Sequence, residues 1–363
     1  MTQPRARLRM QLLLSLASVL IFLAVLELSV RIVFGVQPQQ QRYRLHPDLG
    51  WEWTPGYAAQ ENDHGVDYYL EISAQGLPHS PEYTIPKPAN TFRILALGDS
   101  VTHGVGIAPE YKFVRLLQTA LQQRYPDSTI EVLNGGTDDY GAEQELLWLQ
   151  QRGLRFEPDL IILTVYMNDG RPSERSNAIT TGSFNLLMSR SAAYYYYSQA
   201  VRGLLIQQET TQADFRFWYK DDFNAGAWIN DPGALTELIR AADQDWGLAW
   251  TEAGMAAMQD SLAALFDFVE SRDIPLLVSL TPVAVQVQAE VEPTGSIGDL
   301  EQPQRELAAF TEARGVPLVD LLPMLRAHRS EALFFDQAHY TIAGHALVAQ
   351  ALLAALDEHA LLP

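Results

Sequence analysis

Four polar residues sit where they could do chemistry together. Ser100 follows Gly98 and Asp99 in LALGDSVTHG, directly after an apolar run. A glycine beside a serine at a strand-to-helix turn lets the hydroxyl stand clear of the sheet, and backbone N–H groups at the helix amino terminus can stabilise an oxyanion. The same serine would equally serve as a helix cap. A phosphate cradle is disfavoured, because the loop lacks the G-K-[ST] ending of a P-loop. Near the carboxyl terminus, Asp336 precedes His339 by three residues in FFDQAH. That spacing lets a carboxylate hold the imidazole tautomer that takes a proton from a serine hydroxyl. Asn168 closes the run DLIILTVYMN, and its amide can donate to negative charge developing on a carbonyl oxygen. The segment LNGGTDDYGAEQEL would bring another backbone N–H near Ser100. Asn and Gly are also ordinary turn formers, so the weight lies in their convergence. Asp336, His339 and His345 are too few for a metal site, and no metal or other cofactor is expected. His345 is expected to pack or cap within the last helix.

Convergence requires a scaffold. From Phe92 onward, short apolar runs alternate with helical periods. Strands are expected at FRILALGD, IEVLNGG, DLIILTVYM, PLLVSLTPV and VPLVDL, and helices near 113–124, 142–153, 252–272, 301–314 and 341–357. Continuous apolar strands separated by amphipathic helices predict an α/β fold, a doubly wound, flavodoxin-like parallel sheet with helices on both faces. In such a sheet the ligand lies beyond the carboxyl ends of the strands, where all of these loops fall. Residues 37–90 are rich in Pro, Gln, Gly and aromatics and read as a linker followed by a small β-rich lead-in, with 91–363 as the main domain. Between about 170 and 250 the alternation gives way to an aromatic-rich insertion holding Tyr194 to Tyr197, Trp218, Trp228, Trp246 and Trp250. These rings could form a stacking platform for sugars or bury the insertion against the sheet.

The chain of 363 residues is 47% hydrophobic, enough to bury a sizeable core. Its 25 Lys+Arg against 44 Asp+Glu give a net charge of −19, which repels nucleic acid and favours a neutral or apolar substrate. With no cysteine, thiolate zinc sites, disulfides and a cysteine nucleophile are excluded. Arg5, Arg7 and Arg9 precede an apolar run of about 23 residues, roughly 34 Å as a helix. The arginines predict a retained single transmembrane anchor over residues 1–36, with its amino terminus in the cytoplasm and the remainder outside. A cleaved signal peptide is the alternative, and it exports the domain too. Glu27 and Arg31, four apart, would share a helix face and pair.

GDSVTHG, NGGTDDYG, the strand-terminal Asn168 and the terminal DQAH resemble the four signature blocks of the SGNH, or GDSL-type, hydrolase family, in the family's order. HPDLGWEWTPGY, EYTIPKPANTFRILALGDS and HYTIAGHALVAQALL resemble its membrane-anchored members. The likeness spans about residues 46–170 and 330–357 and leaves the insertion unmatched. It implies that Ser100 is the nucleophile and lends its backbone N–H to an oxyanion hole. It further implies that His339 is general base and then acid, that Asp336 orients His339, and that Asn168 donates its amide. The family's second block usually reads N-x-G-x-x-G, whereas Asn134 and Gly136 are followed here by Asp139. Asp139 can still donate its N–H, but its carboxylate would oppose a developing oxyanion if it points inward. Turned outward, it would cap the following helix, with Gly141 absorbing the backbone strain.

These features predict an extracytoplasmic, periplasmic or cell-surface serine esterase acting on acyl esters, with acetyl groups on envelope or exopolysaccharide glycans as first candidates. Acyl transfer to a sugar hydroxyl through the same acyl-enzyme is the alternative from another reaction class. A catalytically weak glycan-binding module is the third reading.

Overall fold

The computed structural model describes residues 3–34, 42–63, 66–171, 191, 193 and 219–362. Helix α1 (Gln3–Phe34) opens the chain. Its stretch Arg9–Val33 is long and apolar enough to cross a membrane, and none of it is buried against the rest of the protein. An anchor and a signal sequence both have this character. Glu27 and Arg31 form the expected i,i+4 ion pair at 2.7 Å.

Two antiparallel hairpins follow. The first joins β1 (Tyr43–His46) to β2 (Gly50–Trp53), and the second joins β3 (Ala58–Asp63) to β4 (Val66–Glu71). Trp53, Tyr57, Tyr68, Leu70 and Ile72 form a small core of their own between the hairpins. The lead-in is also tied to the sheet. Arg93, fully buried, pairs with Glu131 and donates to the carbonyls of Phe156 and Thr84, and Lys87 pairs with Asp159.

The main sheet has five parallel strands in the order β6-β5-β7-β8-β9. They are β5 (Thr91–Leu97), β6 (Thr129–Asn134), β7 (Leu160–Val165), β8 (Leu276–Leu280) and β9 (Leu318–Asp320). Every residue of β7 and β8 is buried. That accounts for their unbroken apolar sequences, since both faces are covered and no alternation is needed. Burying one such Leu or Ile contributes about 1.5–3 kcal/mol over leaving it exposed. Among the described residues the helices after α1 are α2 (Ser100–His103), α3 (Phe113–Arg124), α4 (Ala142–Gln151), α5 (Tyr219–Ala225), α6 (Pro232–Ala241), α7 (Glu252–Glu270), α8 (Ala284–Gln288), α9 (Gln302–Ala313), α10 (Leu322–Ala327) and α11 (Ile342–Glu358). α11 packs on α3, and α4 packs on α7.

The strand order reverses at β5, with β6 added on one side of it and β7, β8 and β9 in turn on the other. The carboxyl ends of β5 and β7 therefore open a crevice at the switch point of the sheet. Of the two readings of the aromatic insertion, its described tryptophans follow burial against the core. Trp228, Trp246 and Trp250 are buried in the main core beside α6, so they serve packing. Tyr194 to Tyr197 and Trp218 lie outside the described residues.

Candidate active site

β5 ends at Leu97, and the chain turns at Gly98 into α2. A Cβ at Gly98 would stand 2.2 Å from Thr102 Oγ1 and 3.1 Å from Thr164 Cβ, so only glycine fits where this turn crosses β7. Asp99 caps α2 by accepting from Val101 N–H at 2.9 Å. Ser100 is thus relieved of the capping role that its position also allowed. Its hydroxyl lies 2.9 Å from Nε2 of His339.

His339 sits on a turn pinned from several sides. Phe334 bridges to Tyr340, Phe335 N–H donates to the His339 carbonyl at 3.1 Å, and the Gln337 carbonyl accepts from Ala284 N–H at 2.9 Å. Asp336 Oδ1 accepts from the N–H groups of Ala338 and His339 at 2.8 and 2.7 Å, while Oδ2 lies 2.7 Å from His339 Nδ1. An ionised carboxylate only accepts, so Nδ1 carries the proton and Nε2 is left to accept from Ser100. Burial pulls the pKa of His339 down, but the charge and hydrogen bond of Asp336 outweigh it, so the imidazole is held above its ordinary 6.5. Burial likewise pushes Asp336 up. His339 and the two backbone N–H groups overcome that and hold the carboxyl at about 2. The result is a serine, a basic imidazole and a fixed carboxylate in hydrogen-bonded series, able to deprotonate a hydroxyl.

Asn168 lies just past β7. Asp169 Oδ2 accepts from Tyr166 N–H at 3.0 Å and Arg171 N–H reaches the Asn168 carbonyl at 3.0 Å, closing the turn that presents the amide. Among the described residues, Asn168 Nδ2 and the N–H groups of Ser100 and Asp139 donate to no protein acceptor. They stand on adjacent strand ends, of β7, β5 and β6. Three unused donors at one sheet edge can receive an oxyanion.

Asp139 takes the outward of the two courses expected from the sequence, but without the cap. Its side chain is 75% exposed and lies 3.4 Å from Arg171, so the carboxylate turns away toward a cation. It does not cap α4, whose N-cap is Gly141. The strain falls on Asp139 itself, at φ +61, while Gly141 has an ordinary φ of −110. His345 packs as expected: it is buried and its Nδ1 accepts from Phe113 N–H at 3.2 Å, docking α3 on α11.

Two further features had no local signal in the sequence. His103 and Asp138 form a second buried pair, Nδ1 to Oδ1 at 2.7 Å, to which Tyr43 adds its hydroxyl at 2.6 Å. Behind the serine, Asp99 Oδ2, Asp169 Oδ1 and both oxygens of Glu145 are buried without partners. Burial pushes Asp99 up to about 7 against the pull of the Val101 N–H, His339 and Arg171, and burial reinforced by neighbouring carboxylates raises Asp169 and Glu145 well above their ordinary values. Among the described residues no His, Asp and Glu group is placed to share a metal ion.

Residues 96–347 match the model of the GDSL-like lipase/acylhydrolase family. The chain belongs to that family. As a GDSL-like acylhydrolase it is an SGNH-type ester hydrolase, and the match runs on through the 170–250 insertion that the resemblance in the signature blocks had left unmatched. Solved structures similar to this acylhydrolase include a two-domain esterase active on acetylated mannans, co-crystallised with mannopentaose (14% identity, TM-score 0.42, covering 74% of this chain and 49% of that one). A catalytic mutant of an acetylxylan esterase from Geobacillus stearothermophilus matches at 14% identity and TM-score 0.43, covering 73% and 94%. A protein of the G-D-S-L family from Desulfitobacterium hafniense matches at 14% and 0.39, covering 73% and 99%. The chain thus spans about half the length of the first and nearly all of the other two. No curated protein matches it.

Proposed function

We propose that this ester hydrolase works through an acyl-enzyme on Ser100, outside the cytoplasm, on short acyl esters. The observation that carries the proposal is the series Ser100 Oγ to His339 Nε2 to Asp336, at 2.9 and 2.7 Å. Ser100 Oγ attacks the ester carbonyl while His339 takes its proton. The carbonyl oxygen becomes an oxyanion among the N–H groups of Ser100 and Asp139 and the Asn168 amide. Collapse breaks the bond to the alcohol, which leaves with the proton from His339. Water then attacks the acyl-enzyme, again losing its proton to His339, and releases the acid and Ser100.

A short acyl group suits a nucleophile that is only partly exposed beside a histidine 7% exposed. The outside location rests on Arg5, Arg7 and Arg9 ahead of the apolar helix. Acetyl esters on envelope glycans are the first substrate class that this location offers. Intact cells producing the chain test catalysis and placement together, with a charged aryl acetate that does not cross the cytoplasmic membrane. Turnover is expected in intact cells, falling by about 10³-fold or more in Ser100→Ala and His339→Ala. Turnover in both variants unchanged from wild type would sink the site; turnover only after lysis would sink the placement.

A further inference from the structure

We infer that Trp51 is a positioning residue for the oxyanion site, holding the peptide unit whose far end is the Asp139 N–H. The inference rests on the hydrolase reading above. Trp51 Nε1 donates to the Asp138 carbonyl oxygen at 3.0 Å. In a planar trans peptide the C=O and the following N–H point in opposite directions. Fixing the Asp138 carbonyl therefore fixes where the Asp139 N–H aims, and that N–H is one of the three unused donors at the sheet edge.

This peptide unit has two natural orientations. Tyr140 N–H donates to the Thr137 carbonyl at 3.2 Å, closing a β-turn with Asp138 and Asp139 at its centre. Rotating the central peptide by about 180° interconverts type I and type II turns, and of the two only type II has positive φ at the second central residue. Asp139 has φ +61, so the turn is in the type II sense. Glycine adopts that conformation freely; a residue with a Cβ favours the flipped, type I sense. With aspartate at this position, a group outside the turn has to hold the less favoured orientation. Trp51 on β2 supplies it, and is gripped in turn by Tyr140, whose hydroxyl donates to the Trp51 carbonyl and whose ring meets the indole edge-on at 5.7 Å.

Trp53, two residues along the same strand, provides the internal control. Its Nε1 donates to the Gly136 carbonyl at 2.8 Å. The N–H of that peptide, on Thr137, is already bonded to the Gly98 carbonyl at 3.1 Å, so the unit is held at both ends. Losing the Trp53 donor removes a comparable hydrogen bond without freeing a donor of the oxyanion site.

The test uses the full chain in detergent micelles, an aryl acetate, and an aryl boronic acid that forms a tetrahedral adduct on a serine hydroxyl. In Trp51→Phe, kcat is expected to fall about 10-fold or more, short of the 10²–10³ for outright loss of a donor. KM should stay within about twofold, and boronate affinity should fall in step with kcat. Trp53→Phe should keep kcat within about threefold at a similar loss of melting temperature. Asp139→Gly added to Trp51→Phe should recover kcat, because glycine tolerates the type II sense. Equal kcat losses in the two tryptophan variants, or no recovery with glycine, overturn the inference while leaving the hydrolase reading intact. A Trp51→Phe chain that does not fold, with Asp139→Gly giving no recovery, also overturns it. A wild-type chain that neither turns over ester nor binds boronate overturns both.

Discussion

His339 carries two opposed influences whose balance sets its pH behaviour. Burial alone would keep the imidazole neutral far below pH 6.5, and Asp336 reverses this. Only the neutral ring can take the Ser100 proton, so kcat/KM should rise with pH along an acidic limb whose midpoint lies above 6.5. Asp336→Asn removes the charge and leaves the burial. Its limb should move below 6.5 and its plateau should fall by about 10²–10⁴-fold; a pH–rate profile with an unmoved midpoint would remove Asp336 from this role. The signs for stability follow from the same shifts. The raised His339 contributes stability below pH 6.5 that is lost as pH climbs through its folded value. The depressed Asp336 contributes stability above about pH 4 that is lost as pH falls through about 2.

The elements differ in how far their sequences announced them. The five strands and the helices near 113–124, 252–272, 301–314 and 341–357 appear where apolar periodicity places them, because two-sided burial writes itself into contiguous residues. Ser100, Asn168, Asp336 and His339 were legible for a related reason, each standing at a strand end or a helix entry marked by turn residues. The grip of the first hairpin on the 136–140 loop was not legible. It joins Trp51 to Asp138 across 87 residues and Trp53 to Gly136 across 83, and no local pattern encodes such pairs. The direction of the Asp139 carboxylate was hidden likewise, since it depends on Arg171 in another loop. Contact between elements also explains the glycine before that turn. A Cβ at Gly136 would stand 2.2 Å from His103 N and 2.8 Å from its Cα, so α2 and the loop after β6 touch backbone to backbone. Gly136→Ala must part them, and we expect kcat to drop about 10-fold or more with a smaller change in KM. Steady-state kinetics check this, and an alanine variant with wild-type kcat would show that the loop can move without harm.

Across the molecule, charge is distributed unevenly in a way that pH should reveal. Among the described residues, a chain of net charge −19 keeps three carboxyls, Asp99, Glu145 and Asp169, inside with an oxygen that has no partner, and neither oxygen of Glu145 has one. Burial raises Glu145 well above its ordinary 4.5, so the folded chain holds a proton there that the unfolded chain releases. Stability from this group therefore declines as pH rises past about 4.5, by up to about 1.4 kcal/mol per pH unit until the folded value is reached. Glu145→Gln does not titrate. Its melting temperature relative to wild type should accordingly improve between pH 5 and pH 8, and a constant difference over that range would contradict the assignment. The region that matches the family model begins at residue 96, yet hydrogen bonds to the loop over the sheet edge begin at Tyr43. Transplanting only the matched region into another protein would cut the graft through its own brace. The portable unit includes the hairpin that begins at Tyr43, so a recombination junction serving this chain falls between α1 and β1 and not at the first strand of the main sheet.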